Sequence, residues 1–365
     1  MSEERGNFQD VFSQLAKENL LNSDWEAQTR VLIAREHNEQ AWYVRVMVGF
    51  SAWLASWMLI GFVVGAAIIE SEQATLILGA ILVAGAVVGR RVSDNDFITQ
   101  MTLAVCLAGE GLIVFGLAQI VDSVVVTLFS FMALELVLIA IYPDAVHRFL
   151  SAASVAMALT GLLFEWKSIA WVHAVVIVFA ALFVYLVTVE QKFLALGQAK
   201  LIVPVKWGVL FGQLSVLMLS TIYVLPELTR NTEFFPNPWI SSVLLGSLFL
   251  YLVYRITSAE KFPLSRVNSV AVYGFCVLII AAAMMAPGLI MALIILLLGF
   301  VMADRVLVGV AIGFFTVFLT AFFYGIEITL LMKSAVLMAS GVVLLAGRIV
   351  LKYYLAAPNK VVTNA

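Results

Sequence analysis

The sequence predicts an all-α, polytopic membrane bundle of about twelve spanning helices with both termini in the cytoplasm. Three observations carry that expectation. Hydrophobic residues fill 63% of the 365 positions and charged residues 12%, with a mean hydropathy of +1.05. Soluble domains run at about 45–50% apolar and about 25% charged. The apolar excess comes in runs of roughly 20 residues, the helix length that crosses a bilayer. The cations between those runs alternate from one side to the other, as the positive-inside rule requires. A water-soluble enzyme, a disordered chain and a fibrous chain are all excluded on composition.

Residues 1–45 read as a cytoplasmic helical tail. Phe8, Val11, Phe12 and Leu15 make a narrow apolar stripe at helical spacing, and Ser23 with Glu26 fits a capping box. The stretch has no apolar signal-peptide core, so the first span is expected to act as an uncleaved anchor. The membrane domain is expected over 46–352, with a short cytoplasmic tail at 353–365.

Runs broken by charge, proline or turn residues give the spans in order. They are Val46–Ile69, Gln73–Gly89, Ile98–Gln119, Ser123–Tyr142, Phe149–Phe164 and Ser168–Val189. After a polar break at 190–204, where a six-plus-six division is expected, come Val205–Leu225, Trp239–Ile256, Val267–Ala286, Gly288–Ala303, Val306–Tyr324 and Ser334–Leu351. The second, fifth and tenth are short enough to be tilted or re-entrant. With the N-terminus inside, the inner flanks hold Arg30, Arg35, Arg45, Arg90, Arg91, Arg148, Lys192, Lys200, Lys206, Arg255, Lys261, Arg266, Arg305, Arg348 and Lys352. The outer loops hold only Lys167, Arg230 and Lys333.

The connections leave little room for soluble chemistry. The longest outer loop is 226–238 and the longest inner one 190–204, and neither carries a phosphate loop, an HExxH or a GxSxG pattern. No enzymatic machinery is expected. A net charge of −2 gives no basis for nucleic-acid binding. Cys106 and Cys276 sit in apolar runs with no CxxC spacing, so they read as small buried hydrophobes, with neither a metal nor another cofactor expected.

Candidate binding residues are the ionisable and polar groups at membrane depth, which are costly there and functional by default. Glu110 in LAGEGL and Glu135 in MALELV lie on consecutive spans joined by a very short turn. Each is about the same number of residues from that turn, so both carboxyls are expected at one depth, facing the protein interior. Two carboxylates at one depth can bind a cation or relay a proton; protonated and hydrogen-bonded carboxyls serving packing is the other reading. Gln100 is also polar within a span, as is Gln213, and helix-to-helix hydrogen bonding suits both. His173, close to Trp166 and Trp171, reads chiefly as part of an interfacial aromatic belt. Glu327 and Lys333 read as a structural ion pair across the last outer turn.

The segments AWYVRVMVGFSAWLASWMLIGF at 41–62, FITQMTLAVCLAGEGLIVFGL at 97–117, PGLIMALIILLLGF at 287–300 and FFYGIEITLLMKSAVLMASGVVLLAGR at 322–348 carry a resemblance. In this order they resemble a bacterial multi-pass inner-membrane family catalogued as a domain of unknown function. The resemblance covers essentially the whole chain. It implies the bilayer as surroundings and, as partner, a membrane-anchored protein named for its GDYXXLXY motif. A permease-like protein for a small solute or ion is the expected function, and a membrane scaffold for that partner is the alternative.

Overall fold

The computed structural model describes residues 71–92, 96–224, 235–259 and 266–325, with isolated helical positions within 43–61 and 331–345. The chain divides into two units, Met1–Ala55 and Ser56–Ala365; all elements below belong to the second. Among the described residues every regular element is helical. They are α1 (Glu72–Val92), α2 (Asp96–Val121), α3 (Val124–Ile141), α4 (Ala145–Glu165), a 3-10 turn (Ile169–Trp171), α5 (Val172–Ala195) and α6 (Ala199–Met218). A second 3-10 turn (Leu219–Val224) follows, then α7 (Pro238–Ala259), α8 (Arg266–Ala282), α9 (Pro287–Val301) and α10 (Arg305–Gly325). Eight of the described helices are long and apolar enough to cross a membrane, as an integral membrane protein requires; α9 and the apolar part of α8, Val272–Ala282, are shorter.

Each of the second to eleventh expected runs coincides with one of these helices; the second, third, fifth, eighth and eleventh lengthen at both ends, whereas the fourth shortens to Val124–Ile141 and the seventh, ninth and tenth end earlier than expected. The expected short runs at Gln73–Gly89 and Phe149–Phe164 are full 21-residue helices, α1 and α4. Charged residues that mark a loop in the sequence lie inside these helices, because their side chains reach backbone carbonyls or carboxylates nearby. The expected inner loop at 190–204 is corrected in the same way. Helices α5 and α6 run on until only residues 196–198 connect them. Gly197, at φ +73°, takes the left-handed turn that ends α5, and Lys206 of α6 binds Glu190 of α5 at 2.8 Å across the hairpin. Lys206 is thus a buried, paired cation rather than a flank residue, with its ammonium also over the Trp207 ring.

Two kinds of packing follow. Helices α1 and α2 cross backbone to backbone: a methyl at Gly79 would meet the Gly109 carbonyl at 2.7 Å, and one at Gly109 would meet that of Gly79 at 2.8 Å. Helices α4 and α6 do the same through Gly208 and Gly212, set against Phe149, Ala152, Ala153 and Ala156. Small residues allow this approach, the usual device where lipid removes the hydrophobic drive between helices. The apolar core then gathers α4 to α10 around α9, most of whose residues are buried. Helices α1, α3 and α10 instead leave Ile77, Ile81, Leu136, Val137, Val306 and Ile312 exposed, a surface too apolar for water and suited to acyl chains.

Candidate functional site

The site is assembled where α4 begins. Pro143 cannot continue α3, and Asp144 caps α4 by accepting the His147 N–H at 2.9 Å. That cap places the His147 side chain on the first turn of α4, facing the middle of α2. There Cys106 and Glu110, four residues apart, share one face of the helix. His147 Nε2 lies 2.5 Å from Glu110 Oε1. The Cys106 thiol donates to the same oxygen at 3.3 Å and stands 3.5 Å from Nε2. Cys106 and His147 are fully buried, and Glu110 is 5% exposed.

The imidazole is held on its other sides. Its Nδ1 is 3.1 Å from the Ser151 hydroxyl, one turn along α4, and the Tyr142 ring packs against it with centroids 4.6 Å apart. A hydroxyl both donates and accepts, so Ser151 suits either protonation state of His147. Ser151 is also a neighbour of Glu135, brought in by α3. Glu135 is 3% exposed, and its Oε2 has no hydrogen-bond partner among the described residues. Asp144 in turn faces Arg90 of α1 at 3.9 Å. The cluster therefore continues from buried Glu110 and Glu135 through His147 to Asp144 and the half-buried Arg90 at the helix ends.

Arg148 fastens this corner. Pro143 and Pro204 lack the N–H groups that would bond the carbonyls four residues before them, those of Ile139 and Lys200. Arg148 supplies both: its Nε donates to the Ile139 carbonyl at 3.0 Å and its Nη1 to that of Lys200 at 2.8 Å. Arg91 caps the same end of α3 through the Ile141 carbonyl at 2.9 Å. The sequence reads Arg148 as a cytoplasmic flank charge; the structure buries it as a clamp among α3, α4 and α6.

Of the sequence-derived candidates, Glu110 and Glu135 come together here, both buried. Gln100 is half-buried on α2, ten residues before Glu110 and so about 15 Å along the axis. His173 lies beyond the far end of α4, about 27 Å of helix from His147. The belt reading of His173 is corrected: Trp166 and Trp171 are exposed, but His173 is buried, its Nδ1 2.7 Å from Ser241 Oγ and its ring edge-on to Phe235. Gln213 is buried and donates to the Val176 carbonyl. Glu327, Lys333 and the stripe at Phe8–Leu15 lie outside the described residues.

Sequence reasoning missed His147 and Ser151 and gave Cys106 no role beyond packing. The Pro-Asp-x-x-His stretch at 143–147, a helix stop followed by a cap and a histidine on the first turn, was the available signal. Chemically, a thiol, an imidazole and a carboxylate now offer three ligand-type atoms within 4.8 Å of one another. The same atoms can pass or store a proton. The family model described as "Domain of unknown function (DUF4401)" matches residues 41–354. No curated protein and no solved structure matches the chain.

Proposed function

We propose that the chain, which belongs to this family of domains of unknown function, DUF4401, is a multi-pass, permease-like protein of the bacterial inner membrane. It passes a small cation, with Glu110, Glu135 and His147 as the intramembrane binding groups. The observation that carries this reading is the fully buried contact of His147 with Glu110, extended by Cys106 and Glu135. Ionisable groups at a helix centre cost roughly 2.5–3.5 kcal/mol each on insertion scales. Packing alone needs one neutral hydrogen bond per helix pair, not a gathering of titratable groups that reaches Arg90 and Asp144 at the helix ends.

Within this reading the chain has twelve spans and both termini in the cytoplasm, supported by the distribution of Lys and Arg between loops. Reporter fusions at Gly197 and Thr229 should then report cytoplasm and periplasm respectively. A fusion at 229 that reports cytoplasm removes the topology. The protein performs no catalytic step, and a GDYXXLXY-type membrane-anchored protein is its proposed partner. Cation and proton flux in proteoliposomes of the purified chain tests the function; wild-type vesicles no leakier than empty ones refute it. A scaffold role for that partner is the second reading, favoured by α9, which is packed on nearly every side. Co-purification of the partner without any flux would select it.

A further inference from the structure

The α2–α4 cluster also has the composition of a metal centre. We propose that Cys106 Sγ, Glu110 Oε1 and His147 Nε2 bind one divalent transition-metal ion of the zinc class. This names the cation for the site described above and rests on the permease reading only for the ion's passage.

Geometry supports it first. A tetrahedral ion with bonds of about 2.0–2.3 Å holds its ligand atoms about 3.4–3.6 Å apart. The Sγ–Nε2 and Sγ–Oε1 separations are already 3.5 and 3.3 Å. Only the Nε2–Oε1 contact, 2.5 Å, must open, by roughly 1 Å to reach a tetrahedral edge. A shared proton occupies that gap in the absence of metal.

Orientation supports it next. Metal-binding histidines usually have the second ring nitrogen fixed by a hydrogen bond, which aims the first at the ion. Ser151 fixes Nδ1 at 3.1 Å, and Asp144 fixes the backbone beneath it. An independent observation points the same way. Glu135 is buried and its Oε2 has no hydrogen-bond partner among the described residues. Glu135 lies outside the group of three ligand atoms, and a turn of its side chain would be needed to bring this oxygen in as a fourth ligand.

The donor set selects the ion. Thiolate and imidazole suit zinc, cobalt and their neighbours, whereas magnesium and calcium take six or more oxygens. Binding is balanced as an exchange. The ion forms bonds to sulfur, nitrogen and oxygen, while the Cys106 thiol proton and the proton shared by Nε2 and Oε1 leave to water. Two positive charges enter and two depart, so a site walled from water keeps its net charge.

The test uses the full-length chain carrying Cys276→Ser, in which Cys106 is the remaining thiol. Titration with Co2+ alone should give one ion per chain, with a thiolate-to-cobalt charge-transfer band that Zn2+ bleaches. Ser151→Ala should weaken Co2+ binding by about 10–100-fold, and Cys106→Ser should abolish the charge-transfer band. Failure to bind Co2+ stoichiometrically, or a cobalt spectrum without sulfur ligation, overturns the proposal. Both readouts use the intact site, so they decide even where a variant does not fold. Zn2+ uptake by dye-loaded proteoliposomes separates the two readings. Stoichiometric binding without uptake supports the site and refutes the permease, whereas cation flux without Co2+ binding supports the permease and overturns the site.

Discussion

Two buried histidines in this molecule sit in opposite surroundings. His147, at the start of α4, meets a carboxylate, a thiol and a hydroxyl, with a second carboxylate beyond. His173, at the start of α5, meets the single hydroxyl of Ser241 and the edge of Phe235, amid the apolar core of α4 to α10. Both follow a proline or a tight turn and both open a helix. What differs is the chemistry that the neighbouring helix presents. A histidine opposite one hydroxyl ties α5 to α7, as Gln213 ties α6 to α5. A histidine opposite titratable groups has partners that can exchange protons or ions. Burial alone does not distinguish the two; the partners do.

The largest effect should come from breaking the first cluster. Glu110→Leu strands His147 and Cys106 in a dry site, and removing one member of a buried ionic pair costs about 3–5 kcal/mol. Detergent-solubilised protein should show much less monodisperse material and a lower melting temperature. Arg148→Leu should come next, because it frees two buried carbonyls that Pro143 and Pro204 had already deprived of their helical partners. Each stranded group costs about 1–3 kcal/mol, and Arg148→Lys should rescue only part of it, since one ammonium lacks the planar reach of the guanidinium. Thermal unfolding of the three proteins side by side checks that order. Ser241→Ala, in the apolar core, should cost only about 1 kcal/mol and leave cation flux at the wild-type rate. A flux loss in Ser241→Ala would end the distinction between the two histidines.

Much of the helical frame was legible in the chain because bilayer thickness dictates run length, and counting residues along the α2–α3 hairpin singled out Glu110 and Glu135, both of which the structure buries. The run ends were not legible. Charged residues such as Arg91 and Arg148 look like loop markers, yet they reach back to carbonyls at helix ends. Drawing the fifth run from Phe149 for that reason excluded His147. The cluster itself was illegible for a different reason. Spacing relates Cys106 to Glu110 within one helix, but nothing local relates either to His147, 41 and 37 positions on. Which helices touch is decided by glycine contacts such as Gly79 with Gly109 and Gly208 with Phe149, a matter of tertiary packing. The same limit turned His173 from an apparent belt residue into a tie between helices.

The most direct measurement compares cation flux in proteoliposomes of Glu110→Gln and His173→Gln against wild type, at equal amounts of folded protein. Glu110→Gln keeps the shape and much of the hydrogen bonding at α2 while removing the carboxylate; His173→Gln retains a polar side chain opposite Ser241. Glu110→Gln should abolish flux and His173→Gln should preserve it. Wild-type flux through Glu110→Gln would contradict the account and return the whole α2–α4 cluster to a role in packing.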